Sequence, residues 1–224
     1  MCGIYCSKDL STFEVLDQAN KKRGNFATGA LIIDNNKRES FVIQKKDSID
    51  WDLEELPTHN TIYLGHNQAP TSSERRYSTG TSHPFKFGRW VVAHNGILTN
   101  ADLLKEDYIP HHKNPVDSSL IPAILNELEF NKFGPCNTDE EEVLNLLYVL
   151  ERLQGTFAIW VYNTNSRNVY FARQGSTLFY KGTNVSSIKG RYYKEVSEGI
   201  LYKLMDNKIE PIEGFIADSP FLTL

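Results

Sequence analysis

The sequence predicts an α+β fold, arranged as one domain over residues 1–224. Three observations carry this expectation. Short apolar, β-branched runs lie towards both ends of the chain, among them residues 27–33 and 157–162. Between them, residues 120–128 and 139–154 place apolar side chains at helical spacing, three and four apart rather than alternating. No linker, internal repeat or low-complexity tract divides the 224 residues.

Taken in order, residues 4–6 read as a short strand. A helix capped by Ser11 or Thr12 then runs through Phe13, Val15, Leu16 and Ala19 and is closed by Gly24. Residues 27–33 and 41–44 flank the turn Asp34-Asn35-Asn36, a hairpin pattern. Residues 51–56 suggest a short acidic helix. Residues 61–65 form a buried strand that leads into the polar stretch from His66 to Ser72, which Pro70 marks as a loop. Residues 72–82 read as a polar surface loop with Gly80, suited to act as a lid. Residues 90–93 are another buried strand, and Asn95-Gly96 after it signals a tight turn. Asn100 opens a helix, and Asp117-Ser118 caps the next. The helix over 139–154 has an acidic first turn that suits its dipole, with Val143, Leu144, Leu147, Leu150 and Leu153 on one face. Residues 157–162 and 168–172 form a second hairpin, and shorter strands follow at 178–180 and around 200–202.

Composition excludes several classes. Hydrophobic residues make up 40% and charged residues 23%, enough for a core of ordinary size. The net charge of −4 gives no basic field for nucleic acid. Three cysteines, Cys2, Cys6 and Cys136, supply neither a disulfide framework nor paired zinc ligands, so the sequence calls for no metal and no cofactor. The expected location is a reducing cytoplasm, with no signal peptide and no membrane span.

The chemistry is concentrated in three places. Cys2 follows the initiator methionine directly. Removal of Met1 would leave a thiol and a free α-amine on one residue, and an α-amine with a pKa of about 7.7–8.0 can act as a base near neutrality. The second place is His66-Asn67-Gln68 through Thr71 and Ser72, and the third is His94-Asn95-Gly96. Singly, each has a plain structural reading: a small buried residue, loop histidines, a turn, and a helix cap at Asp117.

Together they resemble the glutaminase domain of class II glutamine amidotransferases, the N-terminal-nucleophile group. The resemblance covers nearly the whole chain: Met1-Cys2-Gly3-Ile4, Arg23-Gly24 through Gly29, Leu64-Gly65-His66, His83-Pro84-Phe85, the run from Val92 to Asn100, Gly155-Thr156-Phe157-Ala158, and Ala172 to Ser176. It implies a four-layer αββα sandwich of two antiparallel sheets covered by helices, and hydrolysis of the L-glutamine side-chain amide to glutamate and ammonia. It also implies roles for residues. Cys2 is the nucleophile, Asn95 and Gly96 are the oxyanion donors, and Arg23 supports the nucleophile. Gln68, Thr71, Ser72, His94 and Asp117 surround the substrate, with Thr71 near its α-carboxylate and Asp117 at its α-ammonium group. The family usually fuses this domain to an ammonia-consuming synthase. None follows here before Leu224, so a separate synthase is the expected partner. Two other classes compete: a glutaminase-like module that binds or regulates without turnover, and an N-terminal-nucleophile hydrolase acting on another amide.

One position departs from the pattern. Where the family places an arginine that pairs with the substrate carboxylate, this chain has Gln68, which offers only neutral hydrogen bonds. On this reading Gln68→Arg raises affinity for glutamine, and a binding titration that shows no change would refute it.

Overall fold

The computed structural model describes residues 1–51, 54–69, 76–132 and 134–217. Its strands are β1 (Gly3–Ser7), β2 (Ala27–Asp34), β3 (Glu39–Lys46), β4 (Thr61–Gln68), β5 (Phe85–Phe87), β6 (Trp90–Leu98), β7 (Gly155–Asn163), β8 (Val169–Gln174), β9 (Phe179–Lys181), β10 (Asn184–Ser186), β11 (Lys194–Glu195), β12 (Ile200–Leu204) and β13 (Ile209–Gly214). The helices are α1 (Leu10–Asn20), α2 (Ala101–Tyr108), α3 (Leu120–Asn131) and α4 (Asp139–Leu150).

Two antiparallel sheets form the middle layers. The first has the order β11-β9-β10-β1-β4-β2-β3, the second β13-β12-β8-β7-β6-β5. Strand residues alternate between faces, so each sheet divides its apolar residues between two cores. Ile4, Cys6, Leu31, Ile33 and Leu64 of the first sheet meet Val91, Ala93, Ala158, Trp160 and Phe171 of the second. Residues on the outer face of the first sheet, Tyr5, Ala30, Ile32 and Tyr63, pack under Phe13 and Leu16 of α1. The outer face of the second sheet, with Trp90, Val92 and Ile159, lies under α3 and α4. The architecture is the expected αββα sandwich. Each fully buried large apolar side chain contributes about 1.5–3 kcal/mol.

Several local expectations are corrected. The cap of α1 is Asp9, whose carboxylate accepts from the Thr12 N–H and from the hydroxyls of Ser11 and Thr12. Val15 points to solvent, and Asp17 and Asn20 take buried positions on that helix. Of the segment 51–56, Trp51 stands in a 3-10 turn, its carbonyl accepting the Glu54 N–H (3.2 Å), and residues 54–56 form no helix; residues 52 and 53 lie outside the described residues. On α4, Leu146, Val149 and Leu150 pack into the core beneath the second sheet's outer face, while Leu144 is exposed. The largest difference concerns strand lengths. His66, Asn67 and Gln68 belong to β4, which is paired on both sides, with Gly3 opposite Asn67 and Ala27 opposite Gln68. His94, Asn95 and Gly96 belong to β6, paired residue by residue with Ile159, Ala158 and Phe157 of β7. Continuous ladder pairing with β7 overrides the turn preference of Asn-Gly.

Under β1 lies a buried polar hub. The Asp17 carboxylate accepts from the Tyr5 hydroxyl (2.5 Å), the Asn67 amide (3.0 Å) and the Trp51 indole (3.1 Å), and pairs with Lys21 (3.0 Å). Removing one side of a buried charge pair strands the remaining polar groups. Asp17→Ala therefore costs about 3–5 kcal/mol in unfolding free energy, measured by urea denaturation.

Candidate active site

Cys2 stands just before β1, a central strand of the first sheet, and has the parity of Ile4 and Cys6. The pleat thus assigns it to the inner face, at the end of the slab between the sheets. Its Sγ accepts the main-chain N–H of Ala69 at 3.4 Å. That N–H comes from the first residue after β4. Gly24 allows the approach: a Cβ there would lie 2.4 Å from Gln68 C and Ala69 N.

Arg23 sits beside Gly24 and gathers several acceptors. Its Nε donates to the Cys2 carbonyl (2.8 Å), and its Nη1 donates to Thr177 Oγ1 (3.1 Å) and the Ser187 carbonyl (3.3 Å). Burial lowers the guanidinium pKa from its ordinary value, and the charge of Cys2 opposes that shift.

From the second sheet, Asn95 shares the inward parity of Val91 and Ala93 and is almost fully buried. Its Nδ2 donates to Ser187 Oγ (3.4 Å), which also accepts the Ile4 N–H (3.0 Å). Cys2 and Asn95 thus belong to one connected cluster, joined through Arg23, Ser187 and the start of β1. Gly96 follows; a Cβ there would meet the Thr156 carbonyl at 1.9 Å, so β7 admits no side chain at that position.

Asp117 lies at the far end of β6. One oxygen, Oδ2, accepts the Leu98 N–H (2.9 Å), and Oδ1 accepts both the Ser118 N–H (2.7 Å) and the Ser118 hydroxyl (3.3 Å), which leaves a lone pair on Oδ2 for a cation. His94 is not brought to Cys2. Its ring is on the helical side of β6, with Nδ1 against Ser118 Oγ (2.8 Å) and Nε2 against the Thr156 carbonyl (3.3 Å), and so touches the residue next to Asp117. Gln68 is 1% exposed, and its Nε2 donates to the Thr81 carbonyl (3.2 Å). The segment around Thr81 is further held by Tyr77 to Gln44, Gln44 to Ser82 and Pro84, and Asn114 to Gly80. Residues 77–82 are therefore pinned to the body of the protein rather than loose. Thr71 and Ser72 lie outside the described residues.

The sequence reading missed Ser187, Ala69 and Asp17. Ala69 acts through a main-chain N–H, which carries no residue signature. Ser187 follows the short strand β10 without a motif, and its partners lie far away in sequence.

Behind the site, His66 Nε2 contacts the His94 carbonyl across the sheets (3.1 Å), and the His66 and His83 rings stack at 3.8 Å. Burial drives all three histidines to the neutral form: His66 down to about 3, His83 well below its ordinary value, and His94 downward despite the pull of Asp117. Among the described residues no group of three or more His, Cys, Asp or Glu side chains is disposed to hold a metal ion, and no helix is long and apolar enough to cross a membrane.

The fold is that of N-terminal-nucleophile amidotransferases. Over 97% of its length the chain superimposes on half of the glutamine phosphoribosylpyrophosphate amidotransferase from B. subtilis, with a TM-score of 0.69 at 16% identity. A glutamine aminotransferase class-II domain protein from Silicibacter pomeroyi is matched over its whole length and over 96% of this chain, with a TM-score of 0.52. No family model matches. In sequence, the chain is similar to glutamine–fructose-6-phosphate aminotransferase [isomerizing] of Listeria monocytogenes, 27% identical over 98% of this chain. It is also similar to 7-cyano-7-deazaguanine synthase of Saccharolobus solfataricus, 23% identical over 91% of this chain. The chain spans 37% and 43% of the length of these two relatives.

The histidine cluster sets a pH dependence. A histidine kept neutral in the fold has a folded pKa below its unfolded value, so its contribution is intact above about pH 6.5 and is lost as the pH falls from there towards the folded pKa. Unfolding free energy should fall from pH 7 to pH 4 by up to about 1.4 kcal/mol per pH unit for each such histidine. His83→Phe, which keeps a ring against His66 without a titrating group, should flatten that slope in urea titrations at successive pH values.

Proposed function

We propose that this protein hydrolyses the side-chain amide of L-glutamine, with Cys2 as the nucleophile. The observation that carries the reading is the Cys2–Arg23–Ser187–Asn95 cluster, in a chain similar to glutamine amidotransferases over almost all its length. Met1 is 85% exposed, so its removal meets no packing obstacle. That removal frees the Cys2 α-amine. The amine takes the thiol proton through a water as Sγ attacks the amide carbon. The Asn95 amide and the Gly96 N–H receive the charge that develops on the carbonyl oxygen, one such donor being worth about 10²–10³ in kcat. The C–N bond then breaks, the amine returns its proton to the leaving ammonia, and a γ-glutamyl thioester remains. Water adds to the thioester with the same amine as base, and glutamate leaves.

Arg23 holds the Cys2 carbonyl so that the nucleophile and its amine keep one orientation. Asp117 receives the substrate α-ammonium through the remaining lone pair of Oδ2, with His94 bracing Ser118 beside it. Gln68, Thr71 and Ser72 attend the α-carboxylate end. The relatives' names, an aminotransferase and a synthase, support ammonia transfer to an acceptor-using synthase. A second reading, a module that binds glutamine without turnover, is favoured by Gln68 alone.

Mass spectrometry after incubation with 6-diazo-5-oxo-norleucine, a reactive glutamine analogue, separates the two. The expected spectrum lacks Met1 and carries the adduct on Cys2. An intact Met1 in protein that still turns over glutamine would remove the assigned base, and an absent adduct would favour the binding module. Cys2→Ala should abolish glutamate release, at the limit of a coupled glutamate assay, and leave the melting temperature close to wild type.

A further inference from the structure

We infer that Ser187 is a positioning residue for the amide donor of the site: its hydroxyl fixes Asn95 against the strand that carries Cys2. This role rests on the glutaminase reading.

The ladder at Ile4 is irregular in one respect. In an antiparallel hydrogen-bonded pair, two facing residues exchange both main-chain bonds. Ser187 does donate its N–H to the Ile4 carbonyl (2.9 Å). The return bond differs, because the Ile4 N–H goes to the Ser187 hydroxyl (3.0 Å) instead of its carbonyl. The carbonyl is released to accept from Arg23 Nη1 (3.3 Å) and Thr177 Oγ1 (3.0 Å). The hydroxyl takes a second donor, Asn95 Nδ2 (3.4 Å). Three polar groups of one residue thereby join the nucleophile strand, the arginine on the Cys2 carbonyl, and the side chain from the opposite sheet.

An asparagine amide turns about a broad terminal torsion, so an unheld Asn95 has no single donor direction. An oxyanion donor is useful in proportion to how far it is fixed before the reaction. Engaging one Nδ2 hydrogen at Ser187 leaves the other with a defined direction. Ser187 is 1% exposed, so water does not replace the hydroxyl in the folded protein.

The test is steady-state glutamine hydrolysis by Ser187→Ala, Ser187→Cys, Ser187→Thr, Asn95→Ala and the double variant Asn95→Ala/Ser187→Ala, with thermal unfolding followed for each. Ser187→Ala should lower kcat about tenfold to a hundredfold, the scale known for loss of a hydrogen bond that orients a metal ligand, with KM within about twofold. Ser187→Thr, which keeps the hydroxyl, should recover most of that loss. In the Asn95→Ala background, removing Ser187 should cost little more, because the two effects pass through one donor. If Ser187→Ala does not fold, Ser187→Cys, close in size with a weaker acceptor, should show the same selective fall in kcat. Wild-type kcat in Ser187→Ala or Ser187→Cys, or an equal loss with and without Asn95, overturns this role alone. A wild-type protein that releases no glutamate overturns the glutaminase reading and this role with it.

Discussion

The arrangement depends on one constraint: β1 and β6 must face each other across a dry slab. The pleat has a period of two. The alternation that buries Ile4 and Cys6 in that slab gives Cys2 the same face at its edge, and the alternation that buries Val91 and Ala93 does the same for Asn95. A slip of one residue in either strand would turn Cys2 or Asn95 to the helical side and expel the apolar residues. Core packing and site geometry are therefore one specification, and the interdigitation around Trp160 and Phe171 serves both.

The polar groups of the interior follow the same logic. A half-satisfied polar network in a core is worse than none. Asp17 collects Tyr5, Trp51, Asn67 and Lys21 beneath the first sheet and holds β1, β4 and α1 to one another. His66 and His94 link the sheets through a ring nitrogen and a carbonyl. Burial keeps the His66 ring neutral, since a charged ring in the slab would lose its hydration.

Much of this was legible in the sequence, and unevenly so. The hairpins β2–β3 and β7–β8 and the helices α3 and α4 announced themselves through local pattern. The motif residues Cys2, Arg23 and Asn95 were legible as a set, and the structure brings them into one cluster. The lengths of β4 and β6 were not: His66 to Gln68 read as the start of a loop although β2 pairs as far as Gln68, and Asn95-Gly96 read as a turn while β7 pairs straight past it. Ser187 and the Ala69 N–H were illegible for a different reason. Each acts through a partner fixed only by sheet order, and a hydroxyl or an amide hydrogen has no identity in sequence until that order is known.

The bond between Ile4 and Ser187 joins residues 183 positions apart. Such contacts are costly to form early, because the whole intervening chain must be closed into a loop, and they govern how slowly a β-rich topology folds. On the ribosome, the first strand must wait for almost the entire domain to emerge before its neighbour β10 exists. Until then the segment that carries Cys2 lacks its ladder partner on one side and the hydroxyl that links it to Asn95. The cluster that joins Cys2 to Asn95 is thus assembled only when the two ends of the domain have met.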